Sequence, residues 1–307
     1  MNTTPTTPIP DVPMAMLTAL PLTQAHWVQI AKNASWQTTR MNLNTFERHG
    51  VYQDGATVDL IADRLRNPAQ IARAKVLPYQ LMVAFQNAST APGRIRDALQ
   101  DAMELATLNV PAIAGKVWVF PDVSGSMRSA ITGSRKGSTS RVSCLEVAAL
   151  IAASLVRRNK DAGVVPFSDD VLDVSLNARD SVMTNAEKLS RLPSGGTNCS
   201  APLKWLNDRS QRGDLLVYVS ENESWMDNTR HGATATMKQW EVFRQRSPQA
   251  RLVCLDLQPY GHTQARDRTD VLNIGGFSDS VFDVIARFAE GSLGGRHWVD
   301  AVKEVEL

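Results

Sequence analysis

After Pro111 the chain alternates short runs rich in Val, Leu and Ile with longer stretches of helical periodicity, and this rhythm narrows the possible folds more than any other feature. Strands separated by helices build a parallel sheet, which is covered on both faces and reads as continuous apolar runs. The strands expected are Val117 to Phe120, Gly163 to Phe167, Val171 to Ser175, Leu215 to Val219, Arg251 to Leu257 and Val271 to Ile274. Val142 to Arg157, Ser181 to Leu192, Ala201 to Gln211, Thr234 to Gln245 and Ser280 to Glu290 carry the helical spacing between them. An α/β domain over residues 113–307 follows, with a mostly parallel sheet and helices on both faces. Ligands of such folds gather outside the carboxyl ends of the strands.

The residues before this boundary read differently. Residues 1–13 are rich in Thr and Pro and form a flexible lead. Residues 14–112 place apolar side chains at helical spacing throughout. Thr23 is expected to cap a helix holding Trp27, Ile30 and Ala31, Trp36 to His49 to form one helix, and Thr57 to cap Val58 to Leu65. Pro78 and Pro92 stand where two further helices begin, the position at which a missing amide hydrogen costs least. Trp27, Trp36, Phe46, Tyr79 and Phe85 read as packing between helices rather than as stacking platforms for bases. Arg40, Arg48, Arg64, Arg66, Arg73, Lys75, Arg94 and Arg96 are interleaved with acids and read mostly as solvated faces.

Composition excludes more than it selects. A net charge of +2 over 307 residues gives no global argument for nucleic acid, membrane or acidic partners. No apolar run approaches the roughly 18 residues of a membrane span, and the start lacks a basic, apolar signal, so a cytoplasmic location is the default. Cys144, Cys199 and Cys254 are odd in number and widely spaced, which favours reduced structural thiols.

The chemistry concentrates where strands end. Val117 to Phe120 delivers Asp122, Ser124 and Ser126 into one glycine-containing loop. Leu192 to Ser200 offers the Thr197 hydroxyl on a Gly-Gly turn, and the strand from Leu215 runs into Ser220, Glu221 and Glu223. Carboxylate and hydroxyl oxygens suit a hard divalent cation, and magnesium keeps part of its water shell, leaving room for a partner's oxygen.

The segments DVSGSM, GGTNCS and VSENES, in this order, resemble the Rossmann-like von Willebrand factor A domain with its metal-ion-dependent adhesion site, a match over about two thirds of the chain. With MLTALPLT, WQTTRMNLNTFERHGV, AKVLPYQLMVAF, PFSDDV and GGFSDSVFDVIARF, the chain is similar to the carboxyl-terminal part of bacterial Ro autoantigen homologues, the TROVE family. That resemblance implies a HEAT-like helical array joined to an A domain. It also implies a non-enzymatic, ribonucleoprotein role in RNA quality control, with small Y-like RNAs and misfolded RNA ends as ligands and a protein partner such as an exoribonuclease. A full ring needs more helical repeats than these residues supply, so a fragment or shortened relative is expected. Carried over by position, the metal ligands are Asp122, Ser124, Ser126 and Thr197, with Glu221 where the family usually has Asp, and the ion is Mg2+.

Three other readings compete. An Asp after the first strand also resembles the nucleophile of haloacid-dehalogenase phosphohydrolases, but the acid expected two positions later is Ser124, whose hydroxyl cannot serve as general acid. A metal-free A domain could simply support an RNA-binding ring. Arg128, Arg135, Lys136 and Arg141 form a basic stretch without acids that could hold phosphate, or could merely neutralise the nearby carboxylates. The histidines, His26, His49, His231, His262 and His297, are scattered and read as surface or capping residues, and Cys199 as a buried thiol.

Overall fold

The computed structural model describes residues 12, 14–17, 20–132, 142–221, 235–258, 268–278 and 280–291. The chain divides into two compact units between Asn109 and Val110.

The first unit is helical: α1 (Met14–Leu17), α2 (Gln24–Asn33), α3 (Trp36–Met41), α4 (Leu43–Arg48), α5 (Gly55–Leu65), α6 (Pro68–Ala74), α7 (Pro78–Asn87) and α8 (Gly93–Ala106). Thr23 caps α2, and His26 returns a bond to the Thr23 amide, which makes the cap reciprocal. The expected helix from Trp36 to His49 is two helices, because Asn42 leaves helical geometry (φ −117°, ψ 17°). Asp54, not Thr57, caps α5: its carboxylate accepts from the Ala56 amide at 3.2 Å and from the Thr57 hydroxyl at 2.7 Å. Helix α6 escaped the periodicity argument, although Asn67 and Pro68 mark its start.

Trp27, Trp36 and Phe46 are buried, and Trp27 stacks on His49 with ring centres 4.1 Å apart. Tyr79 and Phe85 are half-buried, with Arg96 lying 4.2 Å over the Phe85 ring. Arg64 is not a solvated face: it donates to the Ala31 and Lys32 carbonyls at 2.7 and 2.6 Å and to the Thr39 hydroxyl. It thereby satisfies carbonyls that the end of α2 leaves without partners.

The second unit contains β1 (Val117–Pro121), α9 (Cys144–Arg158), β2 (Gly163–Val164), α10 (Val182–Ser190), α11 (Ala201–Asp208), β3 (Leu215–Ser220), α12 (Ala235–Arg246), β4 (Arg251–Asp256), β5 (Val271–Gly275) and α13 (Val281–Glu290). The sheet order is β2-β1-β3-β4-β5, and every pairing is parallel. Trp118, Phe120, Leu216, Tyr218, Leu252 and Cys254 pack on Leu203, Leu206, Trp240 and Phe243 of α11 and α12. Helix α9, buried along most of its length, packs on β1 and β3 from the other face.

The expected strand from Val171 to Ser175 does not form. Val171 bridges back to Phe167, and the residues beyond alternate half-buried and exposed with no neighbouring strand among the described residues. Alternation of that kind mimics a half-buried strand, yet a strand needs a partner to exist. Strand β2 is shorter than expected, but Val165 and Phe167 still donate to the Val119 and Pro121 carbonyls at 2.9 and 3.2 Å. Pro166 lies between them on the sheet edge, where its carbonyl accepts the Leu172 amide at 2.8 Å and its missing donor breaks no ladder bond among the described residues.

The chain leaves β1 for β2 on one side and returns to β3 on the other. That reversal opens a crevice at the carboxyl ends of β1 and β3, the place where such folds bind ligands.

Candidate metal centre

Asp122 follows β1 directly into this crevice and is fully buried. Its Oδ1 accepts the Ser124 amide at 2.8 Å, and its Oδ2 accepts the Ser220 hydroxyl at 2.6 Å. Burial raises its pKa, while the hydrogen bonds from Ser220 and Ser124 act in the opposite direction. The Ser124 and Ser126 hydroxyls lie 3.2 Å apart, Ser124 buried and Ser126 at the exposed rim of a short 3-10 turn.

The second loop is attached to the first by backbone: the Gly125 amide donates to the Gly195 carbonyl at 3.0 Å. Thr197 follows two residues later and is buried. The two glycines there have a specific cause. Asp169 Oδ2 accepts the Gly196 amide at 2.9 Å, and a Cβ at Gly195 or Gly196 would lie 2.1 or 2.5 Å from that carboxylate. The Asn198 amide donates to the Ser168 carbonyl at 2.8 Å, so the Phe167–Asp170 turn holds the Thr197 loop from below.

Glu221, the third element, is buried and accepts from the Ser129 hydroxyl at 3.3 Å through Oε2. Its charge reaches Cys144, whose thiol is pushed up to about 11, chiefly by burial. Glu221 thus stands beside the start of α9, whose reciprocal cap joins Ser143 and Glu146. Arg128 is exposed on the same short turn as Ser126. Arg135, Lys136 and Arg141, like Glu223, lie outside the described residues. Among the described residues the Ile131 amide donates to the Val142 carbonyl and the Cys144 amide to the Ser129 carbonyl.

The residues brought together fit a hard cation. They are one buried carboxylate without an ion pair among the described residues and two adjacent hydroxyls, one of which opens to solvent. Among the described residues no three His, Cys, Asp or Glu side chains cluster, so the charge at this edge comes from few carboxylates and the remaining oxygens are hydroxyls. All three cysteines are buried free thiols. Asp169 and Ser129 were missed by sequence reasoning. The acids after Pro166 were the visible signal for Asp169; nothing in the sequence places Ser129 beside Glu221.

The family model of the Ro60 vWA domain matches residues 116–289, more than half of the chain. The chain belongs to that family. Among its relatives, the RNA-binding protein RO60 of Deinococcus radiodurans is 26% identical over 265 residues, covering 82% of this chain and 49% of that protein. The RNA-binding protein RO60 of Caenorhabditis elegans is 26% identical over 259 residues, covering 78% of this chain and 38% of its own length. The chain therefore spans half or less of the curated relatives it matches. The crystal structure of the Deinococcus radiodurans RO (RSR) protein shares its fold, with a TM-score of 0.72 at 21% identity over 90% of this chain and 59% of that one. No helix among the described residues is long and apolar enough to cross a membrane.

Proposed function

We propose that this protein is a non-enzymatic, RNA-binding component of a Ro-type ribonucleoprotein, whose A domain holds a divalent ion at the sheet edge and docks an acidic side chain of a protein partner. RNA binding rests on its relatives, two of which are named RNA-binding proteins. The single observation that carries the docking edge is the convergence of Asp122, Ser124 and Ser126 on a loop bonded to the Thr197 turn.

Magnesium bound there would supply a coordination position for a carboxylate. The protein's own residues prepare that position. Asp122 brings the negative charge, Ser220 and the Ser124 amide orient its two oxygens, and Ser124 and Ser126 present neutral oxygens toward the rim. In this reading Thr197 joins the same set, which is supported by the bonds that its neighbours Gly195 and Gly196 make to Gly125 and Asp169. Small structured RNAs and single-stranded RNA ends are the ligands of the helical unit in this reading, with Arg128 and the adjoining basic stretch adding phosphate contacts.

A second reading has one observation in its favour: both oxygens of Asp122 already accept hydrogen bonds, which lets the loop stand without an ion. Thermal melts separate the two. Selective stabilisation by magnesium over chelator, abolished by Asp122→Ala, supports the metal edge; identical melts support a purely structural domain. Fluorescence anisotropy with a stem-loop RNA and a single-stranded RNA, across a salt series, tests the RNA claim. Binding should weaken linearly on a log–log plot as phosphate contacts are screened, and absence of binding at low salt refutes it.

A further inference from the structure

A second buried acid ends the neighbouring strand. Asp256 closes β4 and is 3% exposed. In the β3–β4 ladder its Cα partner is Ser220, the residue whose hydroxyl bonds Asp122. Phe120, Tyr218 and Cys254 face the α11–α12 cluster; two residues further along each strand, Asp122, Ser220 and Asp256 continue that face. The hydrogen bond from Ser220 to Asp122 confirms the first part of this row. The second part is the Ser220–Asp256 register of the β3–β4 ladder; on the same strand, burial and then the Asp256 charge raise the Cys254 thiol well above its usual range.

Ser220 is therefore flanked by a carboxylate on either side, along adjacent strands spaced about 4.8 Å apart. Asp122 is fully hydrogen-bonded, but Asp256 is not. Its Oδ1 is sealed from solvent and accepts no hydrogen bond among the described residues. A buried acceptor left in this condition costs stability, and no lysine or arginine forms an ion pair with Asp256 among the described residues. Among the described residues this acid, at the ligand-binding edge of the sheet, has no donor for its Oδ1.

We infer that Asp256 is a further carboxylate of the cation edge, accepting through Oδ1 a hydrogen bond from a water coordinated to the divalent ion. The inference rests on the metal reading proposed above. Asp256 stands two strands from Asp122, about 10 Å along the sheet between backbones, and side chains reaching in from both strands leave a coordinated water, about 2.1 Å from magnesium and a further ~2.7 Å from its acceptor, as the proposed link. Magnesium retains several waters, whose protons need acceptors, and acceptors of this kind hold both the water and the ion in place. Ser220 donates its proton to Asp122, so its hydroxyl oxygen has lone pairs left to accept from the same water.

The test is magnesium-dependent melting of the full chain, with calorimetric titration of magnesium, for the wild type and for Asp122→Ala, Asp256→Asn and Asp256→Ala. The wild type should gain stability with magnesium and Asp122→Ala should not. Asp256→Asn and Asp256→Ala should need about 10–100-fold more magnesium for the same gain. In chelator both Asp256 variants should melt no lower than the wild type, because they remove an orphaned acid; a residue serving only to pack β4 would lower both melts alike. Wild-type magnesium affinity in the Asp256 variants overturns this inference and leaves the metal reading standing. No response to magnesium in the wild type overturns both. Failure of either variant to fold in chelator also overturns it, since the metal-free chain would then depend on Asp256.

Discussion

Neutralising Asp256 should change how the second unit responds to pH, and the size of the change follows from its burial. Burial raises its pKa from 3.8 to about 7. The folded chain therefore holds a proton that the unfolded chain has released between these values, so stability falls as pH rises across that window. The contribution is fully present below about pH 4 and lost as pH passes through about 7. A gap of roughly three pH values corresponds to about 4 kcal/mol, and for a unit of some 200 residues that is on the order of 10 °C in Tm. Melts of wild type and Asp256→Asn in chelator, from pH 4 to pH 7.5, should coincide at the acid end and diverge toward neutrality, with the variant more stable. Other titrating groups are common to both and cancel in the difference. Magnesium should close the gap at pH 7.5 by stabilising the ionised wild type. Parallel curves over the whole range would refute the assignment of a buried, unsatisfied acid.

Three further perturbations probe the scaffold. Gly196→Ala places a methyl against the Asp169 carboxylate and should cost about 1–3 kcal/mol while weakening the magnesium response in the same melts. Asp169→Ala removes the acceptor for the Gly196 amide and should lower magnesium affinity with little change in the melt in chelator, as read by titration calorimetry. Ser143→Ala abolishes the reciprocal cap of α9 and should destabilise the second unit by about 1 kcal/mol in urea unfolding, leaving magnesium affinity unchanged.

The sheet was legible because buried parallel strands leave an unambiguous mark: Leu215 to Val219 and Leu252 to Leu255 are buried, largely apolar runs that no helical stripe imitates. Val171 to Ser175 misled because a short apolar run says nothing of a neighbouring strand to pair with. Thr57 lost the cap to Asp54, whose carboxylate reaches both the Ala56 amide and the Thr57 hydroxyl itself. In the candidate site, Asp122, Ser124 and Ser126 were readable because one loop carries all three. Asp169 and Asp256 were not, since their relevance comes from the Gly196 amide and the Ser220 register, both of which exist only once distant segments are folded together.

The most direct test of the converging edge is a crystal structure of the chain grown with manganese, whose anomalous scattering marks its own position. One peak is expected within bonding distance of the Ser124 and Ser126 hydroxyls, with Thr197 turned toward it and Asp122 beside it. A well-ordered edge with no peak, and Thr197 directed away from Asp122, would contradict it.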